Sequence, residues 1–241
     1  MEAFDAATYG DRIAAVYDEW AGDLGRAGAA DFLEQLAAGG RVLELGIGTG
    51  TLALELAARG LEVHGVEASE AMLEQLHAKS GGEEIPVLVA DFSLQLPDGP
   101  FALVYAVGDA FMQLRSQDEQ IACVRLVSER LAPGGTFVVE AANGSPWRGE
   151  RSRVVVQRVD VNGVVLFVST HDPVEQKVEA SHLHLSKEGI DVYPLRIRYA
   201  SPAELDLMAK MVGLRLRERW ADWRRSPLTA ESRRQLSVYQ R

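Results

Sequence analysis

Between residues 41 and 142 the chain alternates short, largely apolar runs with longer stretches in which apolar side chains recur every three or four positions. The runs at 41–45, 61–66, 85–90, 101–107 and 136–141 predict buried strands. The stretches between them predict helices. Residues 51–60 are rich in helix formers and close on Gly60. Ser69 caps a helix over 70–79 that turns Met72, Leu73 and Leu76 inward, and Ser116-x-x-Glu119 is a capping box for a helix with Ile121, Val124, Val127 and Leu131 on its inner face. Each crossover is long enough for parallel strands, so the pattern predicts an α/β sheet wound on both sides.

The flanks read differently. Residues 8–20 form an amphipathic stripe of Ile13, Val16, Tyr17 and Trp20, residues 22–30 are rich in small residues as a loop would be, and Asp31 can cap a second helix ending near Gly39-Gly40. After Asn143 the helical period disappears. Four extended runs follow at 152–159, 164–170, 177–186 and 190–199. Lys187-Glu188-Gly189 fits a three-residue hairpin loop, which sets Leu183 opposite Tyr193 and puts Leu195, Ile197 and Tyr199 on the same face. His182, His184, Arg196 and Arg198 then share the other face, expected to be solvated. The apolar face must pack on the main domain, on a second copy or over a substrate. Ser201-Pro202-Ala203-Glu204 opens a helix to Gly213, and residues 214–220 and 235–240 are the last two strands.

Composition narrows the function. The 241 residues are 47% hydrophobic with a net charge of −10, which disfavours nucleic-acid and anionic-membrane partners. A single cysteine, Cys123, excludes an internal disulfide framework and a cysteine zinc site; its spacing marks it as a core thiol. His182-x-His184 offers two metal ligands without an evident third, so no metal is expected. The amino terminus lacks a basic and apolar leader pattern and no apolar run approaches spanning length, so a cytoplasmic protein is expected.

The chemistry centres on Glu44-x-Gly46-x-Gly48-x-Gly50, where the first strand breaks into alternating glycines. Glycine there permits positive φ and close approach of a ligand to the backbone. A dinucleotide fingerprint would place its third glycine at position 51, which is Thr51. Glu44 repels a pyrophosphate and suits a ligand carrying an ammonium or sulfonium. Glu67, at the end of the second strand, stands where such folds place a carboxylate on ribose hydroxyls. Asp91 can accept from an adenine amine while Phe92 covers the base. The loop after the fourth strand, Val107-Gly108-Asp109, lies where reacting ligands meet an open α/β sheet.

Together with Leu131-x-Pro133-Gly134-Gly135, these motifs make residues 41–142 resemble the class I S-adenosylmethionine-dependent methyltransferases of small-molecule type. Within them the chain looks most like enzymes of bacterial specialised metabolism such as amino-sugar N-methyltransferases. The resemblance implies a doubly wound, Rossmann-like seven-stranded sheet, parallel with an antiparallel last strand, plus an added antiparallel β-sheet. It divides the chain into an N-terminal helical lid (1–40), a cofactor-binding core (41–150), an antiparallel insertion serving as substrate roof or dimer interface (151–200), and a C-terminal helix with the last two strands (201–241). It implies S-adenosylmethionine as cofactor, with Glu44, Gly46, Gly48 and Gly50 at the amino-acid end, Glu67 at the ribose, Asp91 and Phe92 at the adenine, and Val107 near the sulfonium. Tyr17, from the lid, and Ala68 and Met72 complete the set. Asp109 is the candidate base or acceptor-orienting group, and Tyr9, Tyr105, Phe111, Trp147, His171 and Tyr193 are candidates for the substrate pocket. The expected reaction is in-line methyl transfer to a nitrogen or oxygen of a small molecule, by a protein that can form a homodimer. Two other readings stay open here: an NAD-type dinucleotide-binding oxidoreductase, and a cofactor-binding partner protein without catalysis.

Overall fold

The structure is a computed structural model that describes residues 4–21, 26–143 and 151–241. In chain order, α1 (Thr8–Ala21) and α2 (Ala29–Ala37) precede β1 (Val42–Leu45), α3 (Thr51–Ala58), β2 (Val63–Glu67), α4 (Glu70–His77), β3 (Val87–Val89), β4 (Phe101–Ala106), α5 (Gln117–Arg130) and β5 (Leu131–Ala142). Four strands follow, β6 (Ser152–Asp160), β7 (Gly163–Asp172), β8 (Lys177–Ser186) and β9 (Ile190–Arg198). The chain closes with α6 (Pro202–Met211), β10 (Arg215–Trp220) and β11 (Arg234–Gln240).

The apolar runs pair into a seven-stranded sheet ordered β10-β11-β5-β4-β1-β2-β3. β1 to β5 are parallel, and β11 inserts antiparallel between β5 and β10. All four residues of β1 are buried, because helices cover both faces of the sheet. Leu33 of α2, Leu56 of α3 and Leu76 of α4 share one core with Val42 and Leu103. Val124 and Val127 of α5 and Leu205 and Met208 of α6 pack into the other with Leu43 and Val104. Cys123 is fully buried there.

Three local expectations change. The Pro133-Gly134-Gly135 turn becomes a bulge inside β5: Leu131 pairs with Phe101, and the register resumes with Thr136 opposite Leu103. Gly28 rather than Asp31 precedes α2, and Asp31 in the first turn instead takes a 2.7 Å ion pair from Arg59.

The third change has wider consequences. β6 to β9 form a separate antiparallel sheet in chain order. Leu185 pairs with Ile190, and Ser186 N donates to Gly189 O at 2.9 Å, so the hairpin is centred between Lys187 and Glu188 rather than on Glu188. His182 therefore faces Tyr193, and Leu183 faces Val192. A slip of one residue moves every side chain to the opposite face. His182 and His184 thus join Tyr193, Leu195, Ile197, Val165 and Phe167 on one face, where Trp20 of α1 packs edge-on against His184 and Tyr193 with ring centroids 5.6 and 4.9 Å apart.

A buried polar knot anchors this sheet to the main one. Arg198, at the end of β9, donates to Glu204 Oε1 at 2.6 Å and to Gln120 Oε1 at 2.6 Å, while Gln120 Nε2 donates to Arg198 O at 2.8 Å. β9, α6 and α5 are thereby tied together at the edge of the apolar core.

Candidate active site

The glycine turn after β1 adopts the backbone its sequence requires, with Gly46, Gly48 and Gly50 at φ of 69°, 54° and 74°. Above it opens a cleft enclosing about 1020 Å³, its mouth included. Tyr17, Glu44, Gly46, Gly48, Glu67, Ala68, Met72, Asp91, Phe92 and Val107 line this cleft. Gly50 does not. It is the left-handed residue before α3, and a Cβ there would lie 2.2 Å from Leu76 Cδ1, so its smallness serves the packing of α3 on α4.

Glu67 closes the turn from β2. Its carboxylate accepts Gly48 N at 2.9 Å, Ala68 N at 2.9 Å and Ser69 N at 3.0 Å. Burial raises its pKa, opposed by those three amides. Asp91 follows β3 and accepts both the amide and hydroxyl of Ser93 through Oδ1, at 2.8 and 2.7 Å.

Glu44 forms the floor. It is 3% exposed and accepts a 2.8 Å hydrogen bond from the Tyr105 hydroxyl through Oε2. Burial pushes its carboxyl up to about 8, against the pull of the Tyr105 hydrogen bond and the Arg26 guanidinium. Tyr105 is wholly buried beneath the cleft, so it supports the floor and does not line a substrate pocket.

α1 lies across the turn and is held there by short polar contacts. Thr49 Oγ1 donates to Asp18 Oδ1 at 2.6 Å, Lys79 Nζ pairs with Asp18 Oδ2 at 2.6 Å, and Ser69 Oγ donates to Asp11 Oδ1 at 2.6 Å. Gly10 permits the approach, since a Cβ there would meet Ser69 Cβ at 2.5 Å.

A second cavity of about 1490 Å³, open space included, adjoins the first. Tyr9, Tyr17, Arg26, Gly108 and Gln113 line both. Its other walls are Trp20 of α1, Phe167, His182, Leu195 and Ile197 of the four-stranded sheet, and a charged group of Asp109, Glu140 and Arg234. Asp109 has both carboxylate oxygens engaged: Oδ1 accepts Ala142 N at 2.6 Å, and Oδ2 pairs with Arg234 Nη1 at 3.1 Å. Arg234 also pairs with Glu140, whose Oε2 accepts Gly108 N at 2.8 Å. Burial lowers the pKa of His182, favouring the neutral ring, and its Nδ1 lies 2.7 Å from Gln157 Oε1.

Of the described residues expected in a substrate pocket, only Tyr9 lines either of these two cavities. Phe111 is fully buried against Phe137 in the core. His171 contacts Tyr199, 3.0 Å from its hydroxyl, and Tyr193 packs on Trp20 without lining the cavity. Trp147 lies outside the described residues. Sequence reasoning missed Arg26 and Arg234, which no motif marks. It also missed Phe167 and His182 as cavity walls, because a correct hairpin register was needed to place them.

Comparison with known proteins agrees with this geometry. Residues 42–135 match the family described as "Methyltransferase domain". The structure of the CcbJ methyltransferase from Streptomyces caelestis is 44% identical, superposes with a TM-score of 0.92 and covers 98% of each chain. The cypemycin N-terminal methyltransferase of a Streptomyces species is 28% identical over 205 residues, 84% of each chain. An amino pentose methyltransferase from Micromonospora echinaspora, solved with S-adenosylmethionine bound, shares the fold at a TM-score of 0.70 and 24% identity over 100% of this chain and 99% of that one. The dinucleotide-oxidoreductase reading is thereby set aside. By its full-length likeness to a methyltransferase and its seven-stranded sheet, the chain belongs to the class I S-adenosylmethionine-dependent methyltransferases.

Proposed function

We propose that the enzyme methylates an amine nitrogen of a small molecule bound between α1 and the four-stranded sheet. The observation that carries this reading is the pair of connected cavities. One lies over the glycine turn, the other is walled by the added sheet, and they meet at Tyr9, Tyr17, Arg26, Gly108 and Gln113.

The first cleft fits S-adenosylmethionine. Its floor offers Glu44 to an ammonium, the backbone of Gly46 and Gly48 admits close approach, Glu67 ends the strand that would meet ribose hydroxyls, and Phe92 can cover a base. The bound cofactor supplies an activated methyl group. Transfer forms a nitrogen–carbon bond as the sulfur–carbon bond breaks, and the acceptor's proton leaves to solvent. Much of the rate can come from holding the two reactants in line and excluding water. α1 performs the exclusion, clamped by Asp18, Thr49 and Lys79.

We take the acceptor to be an amine, in a cavity whose carboxylates are each paired with an arginine, Glu19 with Arg158 and both Asp109 and Glu140 with Arg234. The relatives named for N-terminal and amino-pentose methylation support the same choice. Asp109 is assigned an orienting role: tied to Arg234 and to Ala142 N, it fixes the Gly108 turn between the cavities. Phe167, Leu195 and Ile197 receive the apolar part of the acceptor.

We place the enzyme in the cytoplasm, consistent with its one buried free thiol, and as a homodimer. The outer face of the added sheet carries Val154 and Val192, 68% and 52% exposed, with Val156, Leu166 and Leu183. Sedimentation at the mass of one chain would oppose the dimer.

The decisive experiment incubates the enzyme with methyl-labelled S-adenosylmethionine and a panel of primary and secondary amines beside matched alcohols. Labelled methylamine products with unlabelled alcohols are expected. Labelled alcohols alone would refute the amine reading, and thermal stabilisation by NAD without stabilisation by S-adenosylhomocysteine would refute the cofactor.

A further inference from the structure

Glu44 is the most deeply buried carboxylate facing the cofactor cleft. Its register partner on β4 is Tyr105, and that hydroxyl is its one hydrogen-bond donor among the described residues, at 2.8 Å to Oε2. The groups around it come from four elements. Tyr105 lies below on β4, the Arg26 guanidinium approaches from the segment before α2, Glu67 stands alongside at the end of β2, and Tyr17 faces it from α1.

These surroundings hold little positive charge. Arg26 is the cation of the set, and it is shared with the Tyr17 hydroxyl. Glu67 opposes a second negative charge nearby. Tyr105 and Tyr17 are neutral, since burial, the largest influence on each, raises the pKa of both hydroxyls. A carboxylate without its ligand would be a poorly compensated charge at the bottom of an apolar strand, so the free enzyme keeps Glu44 protonated at neutral pH, in keeping with a pKa near 8. An arriving ammonium reverses that balance, because an opposite charge within a few ångströms favours the ionised form.

We propose that Glu44 releases its proton to solvent as the α-ammonium of the cofactor docks beside it, and that Tyr105 is the positioning residue that holds the resulting carboxylate. Glu44 passes from carboxylic acid to carboxylate, the ammonium keeps its own protons, and no other group changes charge. Tyr105 suits the task because a neutral donor leaves the carboxyl uncharged when the cleft is empty of ligand and still donates to the anion once it forms. A lysine in its place would ionise Glu44 permanently. This inference rests on the reading that the amino-acid end of S-adenosylmethionine lies over Glu44. It makes cofactor and product affinity fall together with pH, since S-adenosylhomocysteine carries the same ammonium.

Isothermal titration of the full-length enzyme with S-adenosylhomocysteine, in several buffers of different ionisation enthalpy, counts the protons released. At about pH 6.5 the count should approach one per site, and it should decline as the pH passes about 8. Affinity should improve roughly tenfold per unit between about pH 6 and 7. Glu44→Gln should bind with no proton release. Tyr105→Phe should shift the release to higher pH, because the anion loses its donor, and raising the pH should restore much of its affinity. A merely structural role for Tyr105 would weaken binding equally at every pH, and that result would overturn its part; circular dichroism would show whether either variant is folded. Tight binding by the parent enzyme with no buffer dependence at about pH 6.5, or release that persists in Glu44→Gln, would overturn the proposal. Failure of S-adenosylhomocysteine to bind at any pH would instead overturn the cofactor reading.

Discussion

Arg198→Met tests how the added sheet is held to the catalytic core. The substitution keeps an unbranched apolar stem and removes the guanidinium, whose side chain is 8% exposed, from Glu204, 14% exposed. It deletes donations of 2.6 Å to Glu204 Oε1, 2.6 Å to Gln120 Oε1 and 3.2 Å to Gln176 Oε1. Glu204 is left with Gln117, Gln176 and its own amide contact to Ser201, none of them charged. Removing one member of a buried pair costs about 3 to 5 kcal/mol, chiefly by stranding the other charge. At roughly 2 to 4 °C per kcal/mol for a chain of this size, Tm should fall by about 6 to 20 °C. Burial alone would raise the pKa of Glu204, but the hydrogen bonds from Arg198, Gln176 and Gln117 outweigh it and hold the carboxyl below its usual range. A depressed carboxyl contributes its stability above the unfolded pKa and loses it as pH falls through the folded value. The gap between parent and variant should therefore be full at neutral pH and close under acid conditions, below about pH 4. Calorimetric unfolding of Arg198→Met, Glu204→Gln and the double variant gives the coupling. A double variant whose loss equals the sum of the single losses, or an Arg198→Met shift under about 2 °C, would refute the assignment of this pair as the anchor.

Glu67→Ala removes the acceptor of three backbone amides, and charged hydrogen bonds of this kind are worth about 1.5 to 3 kcal/mol each, so S-adenosylhomocysteine should bind at least about tenfold more weakly by calorimetry. Gly50→Ala combines a φ of 74° with a Cβ 2.2 Å from Leu76 Cδ1, and should lower stability in urea by about 1 to 3 kcal/mol; made in a Leu76→Ala background, the same substitution should cost less. Trp20→Ala removes the ring that packs 4.9 Å from Tyr193 and walls the second cavity; it should raise the acceptor KM while leaving S-adenosylhomocysteine affinity within about twofold, and an equal loss in both would contradict the division of the two cavities.

The cleft over the glycine turn was legible because its residues sit where strands end. Glu44, Glu67 and Asp91 each follow or close an apolar run, and parallel strands necessarily bring those carboxyl ends to one edge. The second cavity was not legible for the opposite reason. Its walls come from α1, the turn after β4, the end of β5, the added sheet and Arg234 on β11, and no local pattern links them. Tyr105 and Phe111 are aromatic residues beside the site in sequence that packing turns away from it, one under Glu44 and one into the core.

The sequence by itself determined the order of strands and helices, the glycine turn, and the capped starts of α4, α5 and α6. Each of these follows from periodicity, backbone freedom or capping within a few residues. Only the tertiary structure decided which face of the added sheet looks inward. A hairpin centred between Lys187 and Glu188 instead of on Glu188 moved His182 from a solvated face to the wall of a cavity. The alternation of a strand has a period of two, so either register satisfies the local pattern equally well. Packing against Trp20 and the core distinguishes them.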